Sequence, residues 1–303
     1  MVLVVGRVLH ILPQGRSVWG VTSLDNLLYV LRYKASYQIS VYDTTSYRLQ
    51  RRLNVPGLIA AMADMVSCAY NHWLHISCNT FKYVGLLRVA DMVSCAHNYC
   101  LYISCDQCIH RVALPDAAVT KWQVNEKVNN LSVTDIHSVL VTCSESRQVK
   151  EFTTFGILLR QVRLAQDVMS PCHAIQLSSG QFLVCHGDDG DRVGLHRVCL
   201  VGADGEVVKA YGGPRGSGSR QMDKPYHLAV DGNGFFYVVD ALNRRLLLLS
   251  PELTYVCDVA SREQLKWDPM RLFLDADKGR LYVAENDWND GELKTGRVTV
   301  VCI

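Results

Sequence analysis

The stretch 211–251 constrains the fold more than any other part of this 303-residue chain. It contains three apolar runs with strand composition, Tyr226–Val230, Phe235–Val239 and Leu246–Leu249. The first two runs are joined by Asp-Gly-Asn-Gly, whose residues tolerate a positive φ and suit a tight hairpin. The third run ends at Pro251, which cannot donate a hydrogen bond to a central ladder. This stretch predicts an antiparallel meander, which needs neighbours of the same kind to bury both of its faces.

Comparable units recur along the chain at intervals of roughly 40 to 55 residues. In each unit a first apolar strand precedes a second strand, and a polar turn then leads to a third. The second strands are LLYVLR (27–32), CLYISC (100–105), VLVTC (139–143), QFLVC (181–185), FFYVVD (235–240) and RLYVAE (280–285). The sequence therefore predicts an array of six similar units.

The most regular unit, at residues 211–250, resembles the NHL repeat, which is the blade unit of a six-bladed β-propeller. The residues that carry the resemblance are Asp231, Gly234, Tyr237, Asp240, Asn243 and Arg244. The resemblance implies an all-β, six-bladed propeller of four-stranded antiparallel blades, similar to the C-terminal propeller of tripartite-motif ubiquitin ligases. Those ligases also have RING, B-box and coiled-coil regions, which this sequence lacks, so the resemblance does not imply ligase activity.

A single propeller domain is expected to occupy residues 1–303. The final strand GRVTVVCI lacks an outer neighbour, and the N-terminal segment 2–12 is expected to supply it, because closure removes an exposed sheet edge. The predicted blades span about 17–62, 90–130, 131–172, 173–225, 226–269 and 270–303 together with 1–13.

One segment interrupts the repeat. ADMVSCAYNHWLHISC (63–78) recurs almost unchanged as ADMVSCAHNYCLYISC (90–105), which is too close for a four-stranded blade. We interpret residues 63–89 as a partial duplicated blade. A truncated seventh blade, an excursion on the rim and an error in the gene model are the alternatives.

Composition restricts the possible functions. The chain is 49% hydrophobic, and its net charge of +2 argues against a strongly electrostatic nucleic-acid binder. No apolar run approaches the roughly 20 residues that span a bilayer, so no membrane association is expected.

Twelve cysteines raise the question of disulfides or metal binding. Aligning the second strands places Cys78, Cys105, Cys143 and Cys185 at one repeated position, where the better units have Asp240 and Glu285. Residues on different blades lie apart, so we expect small, buried, reduced side chains and a cytoplasmic location.

The sequence contains no recognisable catalytic motif. It lacks a nucleophile elbow, a zinc-protease helix and a phosphate-binding glycine loop. We therefore expect no catalytic residues, no resident metal and no cofactor. Asp240 and Arg244 flank a turn and are expected to form an ion pair that stabilises it.

The expected binding face is the mouth of the central channel, where the inner strands begin and the turns between second and third strands lie. The candidate binding residues on this face are Trp19, Arg32, His173, His186, Tyr226, His227, Arg244, Arg271 and Trp288. Aromatic and arginine side chains on a rigid scaffold are typical of binding hot spots.

The leading hypothesis is a non-catalytic, monomeric scaffold that binds a protein or peptide through this face. One alternative is single-stranded RNA binding on the same face, which requires basic and aromatic residues together. A second alternative is a metal-dependent hydrolase or lyase of the propeller type, with His173 and His227 as ligands.

Overall fold

A computed structural model describes residues 6–12, 17–33, 37–53, 55, 89–114, 116–187, 194–289 and 292–303. These residues form six antiparallel sheets of four strands each, with no helix. The inner strands of successive sheets contact one another, and the first contacts the last, so the sheets close into a ring. The described part of the chain is a six-bladed β-propeller, which confirms the predicted fold class.

The strands follow the chain in regular order, from the inner to the outer position of each blade. Blade 1 contains β2 (Ser17–Leu24), β3 (Leu27–Tyr33), β4 (Tyr37–Asp43) and β5 (Leu49–Leu53). Blade 2 contains β6 (Val89–Cys95), β7 (Cys100–Cys105), β8 (Cys108–Ala113) and β9 (Val119–Gln123). Blade 3 contains β10 (Asn130–Val133), β11 (Val139–Cys143), β12 (Gln148–Phe152) and β13 (Leu158–Arg163).

Blade 4 contains β14 (Pro171–Gln176), β15 (Phe182–His186), β16 (Leu195–Val201) and β17 (Val207–Pro214). Blade 5 contains β18 (Pro225–Val230), β19 (Phe236–Asp240), β20 (Arg245–Leu249) and β21 (Tyr255–Ala260). Blade 6 contains β22 (Asp268–Asp275), β23 (Arg280–Asn289) and β24 (Glu292–Cys302), with β1 (Arg7–Ile11) as its outer strand.

The N-terminal strand closes the ring, as predicted. Strand β1 pairs antiparallel with β24, and the register runs from Arg7 opposite Cys302 to Ile11 opposite Thr299. The free edge of the last strand is thereby covered. The predicted partial repeat at 63–89 lies outside the described residues except for its last residue, which begins β6.

In blades 2 to 5 the second strand is buried along its whole length, because every blade is packed between two others. All six residues of β7 are buried, and so are all five of β11. The outer strands differ, since four of the five residues of β5 are exposed. This arrangement explains why the second strand of each unit is a continuous apolar run and does not alternate.

The ten described cysteines are all free thiols. Burial raises the pKa of both Cys105 and Cys143 to about 12, so these side chains stay protonated and chemically quiet. The repeat alignment was wrong by one residue for Cys185. The residue of blade 4 that is equivalent to Asp240 is His186, because Asp240 pairs with Pro225 and His186 pairs with Pro171. Cys185 pairs with His173, the residue that follows the β-bulge. Cys78 lies outside the described residues.

No helix in the described part of the chain is both long and apolar enough to cross a membrane.

Two glycines with a positive φ offer a matched test of blade packing. Gly205 (φ 91°) lies in the turn between β16 and β17, and a Cβ there would overlap the carbonyl oxygen of Arg163 in blade 3. Gly180 (φ 82°) has nothing within 4 Å of the same position. We expect Gly205→Ala to lower the free energy of unfolding by about 3 kcal/mol and Gly180→Ala by about 1–2 kcal/mol. Urea unfolding of the two variants measures the difference, and equal losses would mean that blades 3 and 4 do not pack this closely.

Candidate binding face at the channel mouth

The channel edges of the inner strands need hydrogen-bonding partners from outside their own sheets. Each inner strand pairs with its blade on one side only, so its channel edge has no ladder partner. Backbone N–H and C=O groups buried at that edge need other hydrogen-bonding partners. Polar side chains near the start of the inner strands supply them.

Such side chains join neighbouring blades, and in blade 6 the second strand β23 supplies one of them. Asp91 Oδ2 in blade 2 accepts a hydrogen bond from Leu131 N in blade 3 at 2.9 Å. Asn130 Nδ2 in blade 3 donates to Cys172 O in blade 4 at 2.6 Å. Asn286 in blade 6 accepts from Val18 N at 2.8 Å and donates to Val18 O at 2.7 Å in blade 1. Polar residues at the channel mouth therefore have an architectural role before any binding role is considered.

His173 also joins neighbouring blades. Its Nδ1 accepts a hydrogen bond from Leu228 N in blade 5 at 3.1 Å, and its Nε2 lies 3.0 Å from Leu131 O in blade 3. These partners define the neutral tautomer with the proton on Nε2. Burial, reinforced by the neighbouring His227, holds the pKa of His173 well below its usual value. Both ring nitrogens are thus used to connect blades.

Three further charged or titratable side chains meet across the channel. Arg271 Nε of blade 6 lies 3.1 Å from Asp91 Oδ1, and His227 Nε2 of blade 5 lies 3.7 Å from Asp91 Oδ2. The His227 ring stacks on His173 with 3.9 Å between the ring centroids. All four side chains are at least 90% buried, so little of their surface is open to solvent. We call Asp91, His173, His227 and Arg271 the channel cluster.

The ionisation of Asp91 depends on these neighbours. Burial alone would raise the pKa of its carboxyl group, but Arg271 and then His227 outweigh burial and lower it. Asp91 Oδ1 also accepts a hydrogen bond from Met92 N at 2.8 Å. Burial lowers the pKa of His227, and Asp91 opposes that change. The cluster therefore contains one buried ion pair and two neutral histidines.

A metal ion is the obvious alternative use of this cluster. Ligand atoms of Asp91, His173 and His227 all lie within 4.8 Å of one another. The donor set does not fit a cation, however, because both nitrogens of His173 are bonded to backbone groups and Arg271 already neutralises Asp91. His227 Nδ1 is buried and has no hydrogen-bond partner among the described residues. A metal would have to displace both the guanidinium group and a connection between blades.

His186 is also structural. Its Nδ1 lies 3.2 Å from Met169 O, and its Nε2 accepts a hydrogen bond from Arg197 Nε at 3.2 Å. Burial and then the positive charge of Arg197 lower the pKa of His186 to about 4. The ring is fully buried and has no surface to offer a ligand.

The prediction that Asp240 pairs with Arg244 was wrong, because Asp240 pairs with the next residue, Arg245. Asp240 Oδ2 accepts hydrogen bonds from Arg245 Nε at 2.8 Å and Asn243 Nδ2 at 2.9 Å. Arg244 instead extends to the next blade, where its Nε lies 2.8 Å from Asp268 Oδ1. Asp240 has the predicted stabilising role in the turn, whereas Arg244 connects blades 5 and 6.

Three of the remaining candidates, Trp19, Tyr226 and Trp288, form the accessible part of the face. Trp19 and Tyr226 occupy β-bulges in their inner strands, between Val18 and Gly20 and between Pro225 and His227. A bulge changes the direction of the side chain that it contains. Trp288 lies near the end of the longest hairpin, formed by β23 and β24, where it is 41% exposed.

Aromatic contacts organise this surface. The rings of Trp19 and Trp288 meet edge to face with 6.4 Å between their centroids. The ring of Tyr226 lies 4.8 Å from the guanidinium carbon of Arg271 and 5.6 Å from Lys224 Nζ. Arg32 is buried, with its Nη1 3.5 Å from Gly296 O, and burial lowers its pKa. The face thus presents aromatic rings above the channel cluster.

Sequence reasoning missed Asp91, Asn130 and Asn286. Asp91 precedes the apolar run that marked the first strand of its unit, and its register matches that of His173 and His227. Aligning the inner strands by the residue that follows each bulge would have found it.

Comparisons with known proteins agree with this architecture. No protein-family model matches the chain. No curated protein matches it either. Among solved structures, virginiamycin B lyase from Staphylococcus aureus is similar with a TM-score of 0.57 and 7% identity, over 96% of this chain and 98% of that chain. The Cps50 (Swd1) β-propeller domain from Myceliophteria thermophila has a TM-score of 0.56 and 10% identity, over 98% of this chain and 99% of that chain.

A protein of unknown function from Bacteroides thetaiotaomicron has a TM-score of 0.61 and 14% identity, over 98% of this chain and 72% of that chain. At such low identity these similarities show the fold alone. The class of protein is a six-bladed β-propeller, and the neighbours include a lyase, a Swd1 propeller domain and a protein of unknown function.

Proposed function

We propose that this propeller is a non-catalytic scaffold that binds a protein or peptide at its channel mouth. One observation carries the proposal: the titratable side chains at the mouth are bonded within the fold, while Trp288 remains exposed beside Trp19. A large aromatic ring on a rigid hairpin is a typical binding anchor. Both nitrogens of the buried His173 are engaged, so in this arrangement it can neither accept a substrate proton nor bind a metal ion.

Two similarities support protein binding. The stretch at 211–250 that resembles the NHL repeat forms most of blade 5, and such propellers in tripartite-motif proteins recognise protein substrates. Propeller domains commonly mediate protein interactions, and a Swd1 propeller is among the structural neighbours. We further propose a monomeric, cytoplasmic protein, and the free state of all ten described cysteines supports that location.

RNA binding at the same face has less support. A single-stranded RNA site needs cations free to neutralise phosphates. Here Arg271 pairs with Asp91, and Arg244 pairs with Asp268. Farther out on the same face, Arg197 pairs with Asp167.

A metal-dependent lyase is the second candidate, because two observations favour it. Virginiamycin B lyase is a structural neighbour, and a histidine-to-alanine variant of that enzyme, solved with quinupristin, is catalytically inactive. The channel cluster also contains two histidines beside a carboxylate. In this chain, however, those histidines hold the blades together.

Substituting Trp288 tests the proposed function. Peptides are first selected from a random library on the wild-type protein, and their affinity is then measured by fluorescence anisotropy. We expect Trp288→Ala to weaken binding about tenfold or more, because the largest exposed aromatic anchor of the face is lost. Tyr255→Ala is the matched control, since Tyr255 is 50% exposed on an outer strand and should not matter.

Two outcomes would contradict the scaffold proposal. Equal binding by wild type and Trp288→Ala would place the peptide site elsewhere. One equivalent of a divalent metal in the purified protein, lost on His227→Ala without unfolding, would favour the lyase.

A further inference from the structure

A second exposed surface lies on the outer side of blade 3. Four apolar side chains within five consecutive residues are exposed: Phe155 (78%), Ile157 (67%), Leu158 (47%) and Leu159 (50%). We call residues 155–159 the blade 3 ledge. It begins in the turn between β12 and β13, on the face opposite the channel mouth. Consecutive exposed apolar residues of this size typically mark an interaction site.

The ledge leads into an unpaired strand edge. Strand β13 is the outermost strand of its sheet, so its outer N–H and C=O groups have no ladder partner in blade 3. Charged residues that discourage pairing with another chain occur in β5 (Arg51, Arg52), in β9 (Lys121) and also in β13 (Arg160, Arg163). The ledge itself precedes Arg160 and contains no charged residue.

The ledge is also held in a defined shape. Thr153 O accepts a hydrogen bond from Gly156 N at 3.0 Å, and Thr153 Oγ1 accepts one from Ile157 N at 3.0 Å. Gly156 (φ 87°) packs so closely on Trp122 of blade 2 that a Cβ would overlap the indole ring. The guanidinium carbon of Arg111 lies 5.8 Å from the centre of the Phe155 ring. A preformed surface loses little conformational entropy on binding.

The charge around the ledge indicates the chemistry of the partner. Strands β8, β9, β12 and β13 contain the cations Arg111, Lys121, Lys150, Arg160 and Arg163 but only one acid, Glu151. Lys150 pairs with Glu126, and Arg160 pairs with Glu151. Among the described residues, the other three cations form no ion pair.

We propose that the ledge and the free edge of β13 bind an extended segment of another protein that combines apolar and acidic residues. The segment would add a strand to blade 3 through main-chain hydrogen bonds, as in other β-augmentation complexes. Its apolar side chains would cover Phe155, Ile157 and Leu159, and its carboxylates would face Arg111, Lys121 and Arg163. This site is separate from the channel mouth and does not depend on the function proposed there.

The probe is a designed peptide of about ten residues in which valine alternates with glutamate. We expect fluorescence anisotropy to show micromolar affinity that weakens as salt is raised. Leu159→Asp should weaken binding about tenfold or more, because it removes an apolar contact and introduces a charge that repels the glutamates of the peptide. Val208→Asp is the matched control, because Val208 is 62% exposed on outer strand β17 of blade 4. Equal urea midpoints for the two variants would exclude unfolding as the cause.

Three results would overturn this proposal. The first is equal binding of a peptide in which lysine replaces glutamate, and the second is equal weakening by Leu159→Asp and Val208→Asp. The third is a wild-type dimer in sedimentation experiments that Leu159→Asp abolishes, since the ledge would then be covered by a second copy of this chain.

Discussion

Replacing Asp91 with alanine is expected to lower the free energy of unfolding by about 3–5 kcal/mol. The substitution leaves the buried guanidinium group of Arg271 without its counter-ion. It also removes the acceptor for two backbone N–H groups, those of Met92 and Leu131. The second of these connects blade 2 to blade 3, so one side chain stabilises contacts among three blades. Urea unfolding at neutral pH measures the loss.

The matched control is Asp167→Ala, which breaks an ion pair with Arg197 at 2.7 Å. Asp167 is 51% exposed, so its loss is expected to cost less than about 1 kcal/mol. Asp91→Asn should lie between the two, because an amide oxygen can still accept from Leu131 N but carries no charge for Arg271. Equal losses for Asp91→Ala and Asp167→Ala would show that the channel cluster does not stabilise the ring.

The repeat made the architecture predictable. Each unit has a second strand that is apolar throughout, which is the signature of a strand buried between two blades, and six such strands appear in the structure. The N-terminal strand was predictable for a similar reason, since the last unit lacked an outer strand. These features follow from local composition and spacing, which a single sequence displays directly.

The channel cluster was harder to predict because its contacts join residues that are far apart in sequence. The bond between Arg271 and Asp91 spans 180 residues, and no local pattern indicates it. Asp91 and His173 each follow a β-bulge at the same place in their inner strands, and the apolar pattern of those strands does not reveal this equivalence. An error of one residue placed the wrong arginine, Arg244, opposite Asp240. Aligning the repeats locates each strand. It does not show which side chain a β-bulge directs toward the channel.

Several candidates lie on the channel face, as the sequence indicated, but they connect blades and do not form an exposed binding surface. His173, His227 and Arg271 lie at the mouth, as the alignment indicated, but they are buried and satisfy one another or the backbone. A ring of blades needs polar side chains at its inner edges, because six unpaired strand edges meet there. Histidine and arginine at these positions are consequently weak evidence for catalysis in this chain.

Acid is expected to destabilise the propeller through these histidines. Burial lowers the pKa values of His173, His227 and His186, the last to about 4. In the unfolded chain a histidine titrates near about 6.5, so the unfolded state binds more protons than the folded state between that value and the folded pKa. Stability is then complete above about pH 6.5 and is lost as the pH falls toward the folded values. Asp91, whose pKa is lowered, adds a further loss at more acidic pH.

The size and the site of this effect can both be measured. His186 alone should account for about 3 kcal/mol between pH 6.5 and 4, since its pKa falls from 6.5 to about 4. Asp240, whose pKa is raised by burial, partly offsets the loss. His173→Asn isolates one contribution, because an amide can accept from Leu228 N and donate to Leu131 O without titrating, as Asn286 does with Val18. Urea unfolding at pH 7 and pH 5 should therefore show a smaller acid-induced loss for His173→Asn than for wild type. The same loss in both proteins would mean that His173 is accessible to protons in the folded state, and that the channel mouth is open to water.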